Sequence, residues 1–152
     1  MTTETRDEIA PKREPNFLVR WLPASARIFM GLILCASGTF GLLTAFGAIP
    51  APSAPMPTGA TAFAGALANT GYMMPLVSGT QLIVGVLLLI KQFVPLALIL
   101  LAPLLVSILA FHLFLAPAGI VPGLVLTALE LYLAWVYRAA YRPLLTARAN
   151  FA

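Results

Sequence analysis

The stretch Ile120 to Tyr137, IVPGLVLTALELYLAWVY, decides the class of this protein. Its 18 residues are apolar enough to cross a bilayer as one helix, with a single charged residue, Glu130. A charged side chain near the bilayer centre costs about 2.5–3.5 kcal/mol on insertion scales, so an intramembrane acid reads by default as a site with a partner. After Glu14 no other Asp or Glu occurs in the chain.

The surrounding sequence repeats the same character. Of 152 residues, 61% are hydrophobic and only 9% charged, with a mean hydropathy of +0.96, which marks an integral membrane protein. Between Ile28 and Tyr137 the only Lys, Arg, Asp or Glu residues are Lys91 and Glu130. Proline and glycine cut this region into four apolar runs, each about long enough for a ~30 Å core. The first spans Ala26 to Phe46 and stops before Pro50, Pro52, Pro55 and Pro57. The second, Gly71 to Ile90, carries Pro75 in its first turn, where a missing N–H matters little, and is closed by Lys91 and Gln92. The third runs from Phe93 to about Ala116, with Pro103 inside it as an expected kink. The fourth opens near Pro122 and continues to Arg142, with Pro143 as the stop.

Short links make neighbouring spans antiparallel. The expected fold is an all-α, integral membrane, antiparallel four-helix bundle over residues 26–142. A short extra-cytoplasmic interfacial helix, Thr58 to Asn69, is expected between spans one and two, with Phe63 and Leu67 on one face. A loop is the alternative there, since Gly59 and Gly65 both weaken a helix. Residues 1–25 read as a disordered or interfacial tail, and residues 143–152 as a second tail.

Lys and Arg set the orientation. They fall in the N-terminal segment, at Lys91 and after Arg138, while the other two links have none, so both termini are expected in the cytoplasm of a cell with this chain in its inner membrane. Trp21, Trp135, Tyr137 and Tyr141 fit an aromatic belt on that side. Membrane topology explains the +4 charge and pI near 9.7, and no nucleic-acid motif accompanies them. Cys35 is the only cysteine, so there is no intrachain disulfide. One His, one Cys and one Glu at different depths do not assemble a zinc, haem or di-iron site.

Depth selects the candidate partners of Glu130. At ~1.5 Å per residue, Glu130, Gln81 and Thr127 lie within one layer ~12–18 Å from the cytoplasmic markers, together with Cys35, Ser37 and Thr39. His112 lies ~31 Å from Lys91, near the outer surface. Gln81 is therefore the expected partner of Glu130. Gly123, Thr127, Glu130, Ala134 and Tyr137 share one helical face, and Ser78, Gln81 and Gly85 share another. Gly31, Cys35 and Gly38 form a small-residue stripe, and Ser37 with Gly41 a second pair, either of which suits close helix packing. The candidates for ligand or proton binding are Glu130, Gln81, Thr127, His112 and Tyr137. The functional reading is that Glu130 binds or protonates something polar entering the bundle. The structural reading is that it hydrogen-bonds Gln81 or a backbone carbonyl as helix glue.

The segment Lys91 to Leu145, together with ALANTGYMMPLVSGTQLIVGVLLL, resembles the DoxX-like group of small four-helix membrane proteins. The likeness rests on Gly71-Tyr72 with Pro75, on Gln81 with Gly85, on Phe111-His112-Leu113, and on Glu130-Leu131 followed by Tyr137-Arg138 and Tyr141-Arg142. Many members carry a Lys-Phe pair late in the first helix. Here that stretch reads Gly41-Leu42-Leu43-Thr44-Ala45-Phe46, so any function of that lysine is not carried over. The resemblance implies an accessory or anchoring subunit of a redox process, not an enzyme on its own, with no intrinsic cofactor and a quinone as an expected neighbour. A membrane or peripheral redox protein and a second copy of the chain are the expected partners, besides the lipid bilayer. A small proton-coupled carrier for a lipophilic solute, working as a dimer, and a purely structural assembly subunit are the alternatives.

Overall fold

A computed structural model describes residues 17–51 and 55–142. These residues are helical, with no strand among them, in the order α1 (Phe17–Ala45), α2 (Thr58–Asn69), α3 (Met73–Leu89), α4 (Val94–Phe114), α5 (Ile120–Val136) and α6 (Arg138–Tyr141). A 3-10 turn, Pro117–Gly119, leads into α5. The expected N-terminal and C-terminal tails lie largely outside the described residues, but α1 begins at Phe17, ahead of the Ala26 start read from hydropathy. Pro23 lies within it, with six helical residues, Phe17 to Leu22, before that proline.

Three segments are long and apolar enough to cross a membrane: Trp21–Ala45, Val94–Phe114 and Pro117–Val136. α2 and α3 pass the same test only as a pair, and they meet at a bend of 90°. Thr70 makes that corner. Its hydroxyl donates to the Leu67 carbonyl at the end of α2 (2.6 Å) and accepts from the Met73 N–H at the start of α3 (3.1 Å), so one side chain satisfies both helix ends. Gly71, at φ 76°, supplies the left-handed residue between them.

Gly71 and Gly65 give a controlled comparison. A Cβ at either would meet nothing within 4 Å, but only Gly71 has a positive φ. Gly71→Ala should lower stability by about 1–2 kcal/mol, whereas Gly65→Ala, inside α2, should raise it by roughly 0.5–1 kcal/mol. Thermal unfolding in one detergent reads both signs.

The helices pack in a ring. α1 lies most extensively against α3, α3 against α4, α4 against α5, and α5 closes back on α1. Met30 and Leu34 of α1, Val84 and Leu88 of α3, Leu101 and Leu105 of α4, and Leu133 of α5 fill the centre with almost no exposure. The outer faces keep Phe29, Leu32, Ile83, Val106, Leu124 and Leu131 exposed, an apolar exterior suited to lipid rather than water.

The α1–α3 contact is close because both faces are built from small residues. A Cβ on Gly38 would come within 2.6 Å of the Leu82 nitrogen and 2.7 Å of the Ser78 carbonyl oxygen; one on Gly85 would lie 2.7 Å from the Cys35 nitrogen and sulfur. Of the two stripes read from sequence, Gly31, Cys35 and Gly38 form the seam, joined by Gly41 against Ser78, while Ser37 and Thr39 face outward. The mid-depth polar layer is thereby divided: Cys35 is committed to Gly85, and only part of the layer faces α5.

Candidate functional site

Glu130 sits in the middle of α5 with 7% of its surface exposed. It lines a groove of ≈ 290 Å³ between α4 and α5. The walls are aliphatic: Leu98, Ile99, Ala102, Leu105, Val106 and Leu109 come from α4, and Leu131 and Ala134 from α5. Three polar side chains face the same space, namely Thr127, Glu130 and Tyr141. Ile99, Val106 and Leu131 on its rim are exposed, so the groove opens sideways through the apolar exterior.

The sequence-derived candidates separate at this point. Thr127 and Glu130, three residues apart on one helical face, share the groove. The Thr127 hydroxyl donates to the Gly123 carbonyl of its own helix (2.8 Å), which leaves its oxygen free to accept. Gln81 does not line the groove, and no hydrogen bond joins it to Glu130. Depth placed the two at one level, but α3 and α5 stand at opposite corners of the ring, with α1 and α4 between them. Tyr137 packs against the central core instead. His112 is a half-buried packing residue at the far end of α4. Its Nδ1 lies 2.9 Å from the Ile108 carbonyl, its ring meets Phe111 edge-on, and it occupies the space a side chain at Gly119 would need.

Tyr141 is the residue that sequence reading assigned only to an aromatic belt. Eleven positions beyond Glu130, it would lie ~16 Å farther along a continuous helix. The helix instead breaks at Tyr137, and α6 brings Tyr141 to the groove, where its hydroxyl donates to the Pro95 carbonyl of α4 (3.4 Å). Burial, and after it the neighbouring Glu130 charge, push the Tyr141 phenol above its ordinary pKa, which keeps it a hydrogen-bond donor. The only sequence signal for this break was the helix-ending run around Arg138 to Pro143.

Pro103 interrupts the backbone hydrogen-bond ladder of α4. It lies inside α4 and has no N–H, so the carbonyl of Ile99, four residues earlier, lacks its usual helical donor. The basic residues nearby are engaged elsewhere. Arg27 is buried and donates to the carbonyls of Leu88 and, at 3.2 Å, Leu89; Arg138 stacks 4.6 Å over the Trp135 ring and donates to the Trp135 carbonyl (3.0 Å). Among the described residues Glu130 has neither a hydrogen bond nor an ion pair. Those residues also hold no group of three or more His, Cys, Asp or Glu placed to bind a metal ion.

The fold and the site define a protein of apolar helices, long enough to cross a membrane, around a laterally open groove with one acid. Neither a family model, a curated protein nor a solved structure matches the chain.

Proposed function

We propose that this chain is a DoxX-like, multi-pass protein of the inner membrane that holds a lipophilic molecule against Glu130 in the α4–α5 groove. In this reading α1, α3, α4 and α5 are four antiparallel spans with both termini in the cytoplasm. Two contacts support that arrangement. Arg27 near the start of α1 reaches the end of α3, and Tyr141 just past α5 reaches the start of α4, so those four ends gather on one side together with Lys91 and Arg138.

The observation that carries the function is a nearly buried carboxyl, without a partner of its own, facing an aliphatic groove that opens to the lipid side. A structural carboxyl of the helix-glue kind would be bonded across the helices. An accessory subunit of a quinone-linked redox process, alone or with a redox protein partner, is one use of such a site and follows from the family resemblance. Carriage of a protonatable lipophilic solute is the other. It is favoured by the lack of a counter-ion for Glu130 among the described residues, because a lone acid can exchange a proton for its ligand.

Mass spectrometry of small molecules retained by the protein in nanodiscs tests the assignment. Wild type should keep a lipid-soluble compound that Glu130→Gln loses. Identical complements from the two proteins would remove Glu130 from the site.

A further inference from the structure

We propose that the α4–α5 groove binds a lipophilic monovalent cation, such as a protonated hydrophobic amine or a quaternary onium ion, with Glu130 as its counter-ion. The inference rests on the groove being a ligand site and adds the chemical class of the ligand.

Charge complementarity carries it. The polar side chains offered to the groove are the Glu130 carboxyl, the Thr127 oxygen, which is free to accept, and the Tyr141 phenol, and none of them is cationic. No Arg or Lys lines it, so an anionic head, whether phosphate or carboxylate, would meet a like charge and no donor beyond Tyr141. The aliphatic walls suit an apolar body, and a volume of ≈ 290 Å³ corresponds to a small organic molecule rather than a two-tailed lipid. The exposed rim at Val106 and Leu131 lets such a molecule arrive from the bilayer without crossing a polar surface.

The exchange balances simply. When the carboxyl is protonated, the incoming cation displaces the proton to water; when it is ionised, the cation neutralises it. Proton and ligand therefore compete for one carboxyl, and binding strengthens as pH rises. The groups around Glu130 do not supply a second site for that proton. α4 contributes no titratable side chain to the groove, α6 contributes the Tyr141 phenol, and on α1 Arg27 and Cys35 are both turned to α3. α3 itself carries no titratable residue.

Tetraphenylphosphonium and tetraphenylborate share one shape and differ in the sign of their charge, so they make the test. Equilibrium binding is measured with the full chain in nanodiscs of zwitterionic lipid. The phosphonium should bind saturably, more tightly as pH is raised, with a proton released in weakly buffered medium. The borate should not bind. Glu130→Gln should weaken phosphonium binding by about tenfold or more, and Glu130→Asp, which keeps the charge, should restore part of it. The proposal is overturned if the borate binds as well as the phosphonium, or if folded Glu130→Gln binds the phosphonium like wild type. A neutral lipophile held through Glu130 with no phosphonium binding would also overturn it, while leaving the groove as a ligand site.

Discussion

Gly38→Leu should prevent α1 and α3 from assembling, and even Gly38→Ala should cost about 1–3 kcal/mol. The atoms that a Cβ would strike are backbone, the Leu82 nitrogen at 2.6 Å and the Ser78 carbonyl oxygen at 2.7 Å, so no side-chain rotation relieves the clash. One helix has to move away from the other. That movement would open the core at Met30, Leu34, Val84 and Leu88, which α1 and α3 bury jointly. Between apolar helices in lipid there is little hydrophobic drive to offset the lost contact, because lipid tails solvate Leu and Val as well as the partner helix does. Thermal unfolding and size-exclusion profiles in one detergent read the outcome, with Gly79→Ala on α3 as the control, since a Cβ there meets nothing within 4 Å. Equal behaviour of Gly38→Ala and Gly79→Ala would contradict the close α1–α3 seam.

Arg27→Ala should be the most damaging loss of a single polar contact. Arg27 is 7% exposed, and its guanidinium donates to the carbonyls of Leu88 and Leu89, the last residues of α3. The Leu88 carbonyl also accepts the Lys91 N–H (3.3 Å), and both carbonyls lie at the negative end of the helix dipole, so a cation there both bonds and complements them. Losing charged hydrogen bonds of this kind costs about 1.5–3 kcal/mol. Arg27→Met, which keeps the apolar stem, should recover packing but not the bonds, while Arg27→Lys should recover part of the bonding. If Arg27→Met melts with wild type, the contact is packing alone. The same residue also counts toward the cytoplasmic excess of positive charge, so a reporter fused at the C-terminus would show whether topology changes with it.

The two sites illustrate where sequence reading reaches and where it stops. The α1–α3 seam was half visible: small residues at helical spacing marked Gly31, Cys35 and Gly38 as a packing face, but two faces were open and the partner helix was not specified. Arg27 was visible only as a topology marker. Its bond to α3 joins residues 61 positions apart, and nothing local in either segment announces it. The groove shows the same limit. Thr127 and Glu130 line one groove because they lie on one helix, where spacing dictates adjacency. Gln81 was paired with Glu130 by depth and by the small-residue faces of their two helices, and neither carries information about the order of helices around the ring.

By itself, then, the sequence determined what intrinsic, local physics controls. Apolar runs of spanning length marked the helical class, proline and glycine marked the breaks near Phe46 and Pro117, the polar pair Lys91-Gln92 marked the break between them, and a lone acid in an apolar run marked Glu130 as costly and worth explaining. Only the tertiary structure decided the neighbours. It set α3 and α5 at opposite corners, turned Tyr141 back to Glu130 at the break after α5, and occupied Arg27 and Arg138 elsewhere. The reason is that helix formation depends on residues within a few positions of one another, whereas which faces meet depends on close packing summed over every helix at once.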